Sequence, residues 1–176
     1  RVAEGAAMTL TMTTRRRRTM TGATLMEALI AIVLLSMCAL AYASLQLRGL
    51  TSSNSALWRS KAVMLAYEMS DRLRTNTVGL TAGNYNNLTG TPAVVSDCGV
   101  AATCAPSRMA QFDHYTWNVA VARDLPAGVG AVCLDSTPDD GTLADAACDG
   151  AGTVYVVKLF WKERDVESRL SVSVRP

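Results

Sequence analysis

The sequence predicts an α+β protein: a long N-terminal helix, membrane-spanning in its first half and amphipathic in its second, packed on a small antiparallel β-sheet. Three observations predict it. An uncharged apolar run extends from Ala28 to Leu47, an apolar stripe at helical spacing follows, and alternating apolar and polar residues lie near the C-terminus.

A chain of 176 residues holds one modest domain plus a targeting segment. It is 49% hydrophobic and 18% charged, with mean hydropathy +0.17, which excludes a disordered chain. The formal charge of +2 is uneven. Residues 1–22 carry five of the 17 basic residues and one of the 15 acidic ones, so the remainder is slightly acidic. A basic nucleic-acid surface therefore has little support.

From Ala28 to Leu47 no charge, Gly or Pro interrupts the run, and Arg48 stops it. Twenty helical residues span about 30 Å, the thickness of a bilayer's hydrocarbon core. Arg15 to Arg18 precede the run, and the positive-inside rule keeps such a cluster cytoplasmic, so the chain after Arg48 emerges on the other side. Four Cys in polar sequence, Cys98, Cys104, Cys133 and Cys148, suit that oxidising compartment. Cys38 lies inside the apolar run.

Three processing routes fit a basic stretch before an apolar one: a cleaved secretory signal, a permanent anchor, or a leader cut before the apolar helix. Ala39-Leu-Ala41 and Ala41-Tyr-Ala43 fit the small-residue cleavage pattern of the first. A lipoprotein site at Leu35-Ser-Met-Cys38 is poorer, because Met precedes the Cys. Glu27 discriminates among the routes, since a carboxylate at a bilayer centre costs about 2.5–3.5 kcal/mol and calls for a functional explanation and a partner.

Gly22-Ala-Thr-Leu-Met-Glu27, with the helix behind it, resembles the type IV pilin family, whose signature is a basic leader ending in Gly, then Phe-Thr-Leu-Ile-Glu and a long apolar helix. Gly22 is similar to the last leader residue and Ala23 to the first mature residue. Thr24 and Leu25 match, Met26 stands for Ile, and Glu27 takes the fifth mature position. Ala23 departs from the usual Phe. The resemblance implies a prepilin peptidase that cuts after Gly22 and N-methylates Ala23. It also implies that Glu27 assists docking by neutralising a neighbouring subunit's amino terminus, a tolerable place for a buried carboxylate. A start at Met12 would leave the short leader MTTRRRRTMTG.

Beyond Arg48 the pattern becomes amphipathic. Trp58, Ala62, Leu65, Met69 and Leu73 fall on one helix face, and Glu68 with Arg72 makes an i,i+4 pair worth a few tenths of a kcal/mol. Asn76 and Gly79 are expected to end the helix, and Gly49 to bend it. Ser60 to Asn76 resembles the Arg-Ser-Gln-Ala-x-x-x-Ala-x-Asp-Met-x-Asp-Arg-Met-Arg-x-Asn segment of PilV-type minor pilins, the type IV pilus modification proteins. Glu68 stands for Asp there, and Leu73 for Met.

Residues 80–112 read as loop, with turn chemistry at Gly83-Asn-Tyr-Asn-Asn87 and Gly90-Thr-Pro92. Tyr115, Trp117, Val119 and Val121 alternate with Thr116, Asn118, Ala120 and Ala122, which predicts a half-buried strand ending at Pro126-Ala-Gly128. Thr153 to Trp161 predicts a second strand, with Tyr155, Val157, Leu159 and Trp161 on one face. Leu170, Val172 and Val174 predict a third, joined by a hairpin at residues 163–167.

Cys98 with Cys104 and Cys133 with Cys148 are the most economical disulfides, although four Cys allow three connectivities. A zinc site lacks a Cys-x2-Cys, and the sole His, His114, is poorly placed for one. Asp135, Asp139, Asp140, Asp145 and Asp149 form an acidic segment that fits no EF-hand and reads as a solvated turn. No catalytic motif accompanies Asp113-His114, and Gly128-Val-Gly130 is incomplete as a dinucleotide fingerprint. The expectation is a protein that is not an enzyme and that binds no cofactor and no metal.

The expected organisation is a removed leader (1–22), a membrane or filament-core half-helix (23–48), an amphipathic half-helix (49–78) and a disulfide-bonded head (79–176). The resemblance implies the type IV pilin fold and a minor pilin that primes pilus assembly and supports twitching motility and adhesion. Its implied partners are the major pilin, other minor pilins, the prepilin peptidase, the inner-membrane assembly platform and a tip adhesin, with no nucleic acid. Its implied places are the inner membrane, with the head in the periplasm, and then the pilus near its tip. A minor pseudopilin of type II secretion, or a secreted binding domain cut near Ala43, are the alternatives.

Overall fold

The structure, a computed structural model, describes residues 24–95, 98 and 104–175. Helix α1 spans Leu25–Thr75, α2 Thr77–Thr81 and α3 Pro106–Asp124; strands β1 (Val129–Leu134), β2 (Tyr155–Glu163) and β3 (Val166–Val174) follow. The chain divides into two compact units, Arg1–Gln46 and Leu47–Pro176.

In the first unit, the described residues from Leu25 onward are helical and exposed. α1 contains an 18-residue window of mean hydropathy 2.4 with none of it buried, long and apolar enough to cross a membrane. The Ser36 and Ser44 hydroxyls donate to the carbonyls of Val33 and Ala41, each at 2.8 Å. Local bonds of this kind let a hydroxyl sit in an apolar helix without seeking water.

In the second unit, Ala62, Leu65, Ala66, Met69 and Leu73 of α1 are buried, the period of one helix face. They share a core with Trp117 and Val121 of α3 and with Tyr155, Val157, Leu159 and Trp161 of β2. Each large side chain so buried stabilises the fold by about 1.5–3 kcal/mol. Trp58, the first residue of the expected stripe, is partly buried against the same core.

The sheet has the order β1-β2-β3, antiparallel throughout. β2 lies in the middle and is buried from Tyr155 to Trp161. Its odd-numbered side chains enter the helical core, and Lys158 and Phe160 lie beneath the segment between Cys133 and Cys148. Cover on both faces explains why the strand is apolar from Tyr155 to Trp161 at every position but Lys158, where a half-buried one would alternate. The expected hairpin is present: Glu163 pairs with Val166 across a turn that puts Arg164 at φ 59°.

Residues 115–122 are helix, not strand, and the expected loop at 80–112 contains the end of α2 and the start of α3. The buried positions of α3 are Ala110, Asp113, His114, Trp117, Asn118 and Val121, spaced by three and four, whereas Val119 is exposed. Three of those six are polar, which hides the helical stripe and leaves the Tyr-Trp-Val-Val alternation in view. Pro106 opens the helix in its first turn, where its missing N–H costs nothing. α1 ends at Thr75, and Asn76 caps α2 by accepting from the Gly79 N–H at 3.1 Å.

β1 was not expected. It is short, and its Gly130 looks like turn chemistry, but a side chain there would collide with α3. A Cβ on Gly130 would stand 2.2 Å from the Trp117 ring, whose indole N–H is tied to the Leu65 carbonyl at 2.8 Å and cannot yield. Gly130→Ala is expected to destabilise by about 1–3 kcal/mol through overpacking. The urea midpoint of the detergent-solubilised chain measures it, and an unchanged midpoint would refute the tight contact.

Candidate functional site

Gly22 and Ala23, the expected cleavage and methylation positions, lie outside the described residues. Immediately after them, Thr24 precedes the first helical residue and its hydroxyl accepts the Glu27 N–H at 3.3 Å. Thr24-Leu-Met-Glu27 is thus a Ser/Thr-x-x-Glu start, in which the threonine caps an orphan donor and the acid favours the helix dipole. The three-residue spacing of Thr24 and Glu27 carries that signal in the sequence itself. The Glu27 side chain is exposed and forms no ion pair with the described residues, so its charge is available to a group from outside.

Glu68 and Arg72 of α1, with Asn76 just past its end, form a ladder of polar residues spaced by four. Arg72 contacts Glu68 at 2.8 Å and also reaches the buried Asp113 of α3 at 3.2 Å. Asp113 in turn accepts the Tyr85 hydroxyl at 2.6 Å. Asn76 donates to the Tyr85 oxygen at 3.1 Å and to the Pro106 carbonyl at 2.8 Å. Glu68, Arg72 and Asn76 therefore fasten α3 and the 83–87 turn to α1. The Glu68–Arg72 pair alone is weak, but Arg72 neutralises a buried carboxylate, whose loss of a partner is costly. Burial, then the hydrogen bond to Asp113, push the Tyr85 hydroxyl well above the usual tyrosine range.

The outer face of the sheet is held by ions. Lys158, almost wholly buried, contacts the carboxylate of Asp135, also buried, and donates to Asp140 at 2.6 Å and to the Ala146 carbonyl at 3.0 Å. Burial opposes the Lys158 charge, but the hydrogen bonds to Asp135 and Asp140 outweigh it and hold the ammonium above its ordinary range. Cys133 is joined to Cys148 across this segment, and Cys98 to Cys104. Cys38 is unpaired and exposed.

The acidic segment spends its carboxylates internally. Asp139 accepts from Ser171, Asp145 from the Ala147 N–H, and Asp149 from Ser136 and the Ala151 N–H. Among the described residues no group of three His, Cys, Asp or Glu side chains is arranged to hold a metal.

His114 is buried against β1, its Nε2 3.3 Å from the Gly130 carbonyl. Burial pulls its pKa below the ordinary 6.5, with the Gly130 bond acting the other way. The unfolded chain then takes up a proton near pH 6.5 and the folded chain only at lower pH. Stability from this group is full above about pH 6.5 and is lost as the pH falls, by at most about 1.4 kcal/mol per unit. Urea titrations between pH 8 and pH 5 are expected to show that decline, and His114→Gln to remove it. A decline of the same size in the variant would assign it to other groups.

Residues 44–115, under half of the chain, match the family model described as Tt1218-like, type IV pilin Tt1218. They run from the apolar half of α1 through its polar ladder and α2 into α3. No curated protein and no solved structure matches the chain. Together with the long N-terminal helix packed on a small three-stranded antiparallel sheet, the match supports a type IV pilin, a family whose members are structural proteins.

Proposed function

We propose that the chain is a PilV-type minor pilin: a non-enzymatic subunit that enters a type IV pilus and, with other minor pilins, promotes its assembly. The single observation that carries this reading is Glu27, a charge in the first turn of an exposed apolar helix that forms no ion pair with the described residues. An isolated domain has no use for such a group, whereas a bundle of like helices can pair it with an incoming amino terminus.

In this reading residues 1–22 are removed by the prepilin peptidase, and Ala23 becomes an N-methylated terminus. Residues 23–48 occupy the inner membrane and then the filament core, 49–78 form the stem and 79–176 the head. The head waits in the periplasm, where the two disulfides form, and moves outward on assembly. The major pilin, other minor pilins, the assembly platform and a tip adhesin are its partners, and twitching motility and adhesion are the resulting activities. Resemblance of Ser60 to Asn76 favours the pilus over a type II secretion pseudopilus.

Gly22→Ser tests the processing step. The variant is expected to accumulate with its leader attached, heavier than wild type by the mass of the leader, on an immunoblot of host membranes. A variant processed like wild type would refute cleavage after Gly22.

A further inference from the structure

A lysine in the middle of a central strand is unusual, because its ammonium must leave water. Lys158 is 1% exposed and Asp135, the residue after β1, is 3% exposed. Nζ of Lys158 contacts Oδ2 of Asp135, and among the described residues that oxygen accepts no other hydrogen bond. The second carboxyl oxygen of Asp135, Oδ1, accepts the Thr137 N–H at 3.2 Å. Asp140 places its Oδ1 2.6 Å from the same lysine nitrogen, and its Oδ2 accepts the Thr137 hydroxyl at 2.7 Å. Nζ also donates to the Ala146 carbonyl at 3.0 Å.

An ion pair needs only opposite charges close together. This cluster holds more. The amine lies against a carboxyl group, a backbone N–H polarises one oxygen of that group, the other oxygen is left without a second partner, and a separate carboxylate touches the amine. Nucleophile, acyl carbon, oxyanion donor and proton carrier are the parts of an acyl transfer. Arg72 with the buried Asp113 has no such capacity, because a guanidinium keeps its proton.

We propose that Lys158 and Asp135 are joined covalently by the folded chain itself, through an amide between Nζ and the Asp135 side-chain carbonyl carbon. The ammonium first passes one proton to Oδ2 of Asp135, which leaves a neutral amine beside a neutral acid. Nζ then attacks the carboxyl carbon, and charge gathers on Oδ1 toward the Thr137 N–H. Asp140 takes a second proton from Nζ and delivers it to Oδ2 as the carbon–oxygen bond breaks. Oδ2 departs as water, and Asp140 is a carboxylate again. One ammonium and one carboxylate thus become one amide and one water, with no oxidant and no outside acyl donor.

Burial favours the neutral amine, whereas the two carboxylates hold its proton, so the reactive pair is the minor state and the step is slow. It need occur only once. Groups held in contact react at effective molarities on the order of 10⁵–10⁸ M. Until the bond forms, Lys158 and Asp135 behave as an ion pair. The amide pins the same segment as the Cys133–Cys148 bridge, but thiols do not reverse it as they reverse a disulfide.

Trypsin digestion of the reduced and alkylated full chain, purified from its native host, followed by mass spectrometry, tests the proposal. No Lys or Arg lies between Asp124 and Val157, so an unlinked chain yields the peptide 124–158. An amide on Nζ blocks cleavage after Lys158, and the expected product is 124–162, lighter than its sequence mass by one water. A protease that cuts before Asp residues is expected to leave two peptides joined through Asp135 and Lys158, because Asp139, Asp140, Asp145 and Asp149 lie between them. Asp140→Asn, which cannot carry the proton, is expected to lower the linked fraction at least tenfold, with the Cys133–Cys148 bridge in the same variant showing that the segment has folded. Peptide 124–158 at its full sequence mass would overturn the proposal. So would a lost water with cleavage after Lys158 intact, the mark of a succinimide at an aspartate. An unchanged linked fraction in Asp140→Asn would overturn the role given to Asp140.

Discussion

Lys158→Met is expected to destabilise the head by about 3–5 kcal/mol, the cost of leaving a buried carboxylate without its cation. Asp135 is buried beside the ammonium, and the other hydrogen bond found for its carboxylate from the backbone comes from the Thr137 N–H at 3.2 Å. Methionine preserves the length and apolar stem of the lysine, so the loss reports the charge and not a cavity. At roughly 3 °C per kcal/mol for a chain of this size, the melting temperature falls by about 10–15 °C. Asp135→Leu added to Lys158→Met is expected to recover most of that, because a buried ion pair replaced on both sides by apolar groups is close to neutral. A double variant as unstable as the single one would show that the ammonium holds the segment through Asp140 and the Ala146 carbonyl instead.

The same segment is closed by the Cys133–Cys148 bridge, worth about 3 kcal/mol for a loop of this length in the chain-entropy picture. Lys158 and the bridge hold one loop, so their losses are expected not to add. Arg169 donates to the Gly141 carbonyl at 3.2 Å, and Glu167 accepts the Leu143 N–H at 3.2 Å. The loop thus braces β3.

Glu27→Gln is expected to lower the amount of this subunit in sheared pili at least tenfold while leaving folding of the head unchanged. Glutamine keeps a polar side chain of the same shape three residues after Thr24, so the helix start loses only the dipole contribution of a charge, about 0.3–1 kcal/mol. A tenfold loss corresponds to about 1.4 kcal/mol of pairing with an incoming amino terminus, modest for a charge pair in an apolar bundle. The ratio of subunit in pili to subunit in membranes, by quantitative immunoblot, measures it. Equal ratios for variant and wild type would remove the docking role from Glu27.

The stem was legible in the sequence because its buried residues are apolar at a single period: Ala62, Leu65, Met69 and Leu73 leave no other reading. β2 and β3 were legible for the same reason, through Tyr155 to Trp161 and Leu170 to Val174. α3 was not, because it buries Asp113, His114 and Asn118, whose partners Arg72, Tyr85 and Gly130 lie far away in sequence. Periodicity counts apolar residues and cannot see a buried polar residue that is satisfied from elsewhere. Lys158 was hidden likewise, since the carboxylates that permit its burial, Asp135 and Asp140, read as a solvated acidic turn. The charge of Glu27 stood out in its apolar context, whereas its helix-starting geometry with Thr24 became plain only once the first helical residue was fixed.

The most direct test of the central claim is the N-terminal residue and intact mass of the protein from its native host, compared with a strain lacking the prepilin peptidase. N-methyl-Ala23, absent from that strain, is the expected result and places the chain in the pilin pathway. Ser44 at the terminus would mean an ordinary secretory signal ending at Ala43, with Glu27 discarded, and would contradict the pilin reading outright.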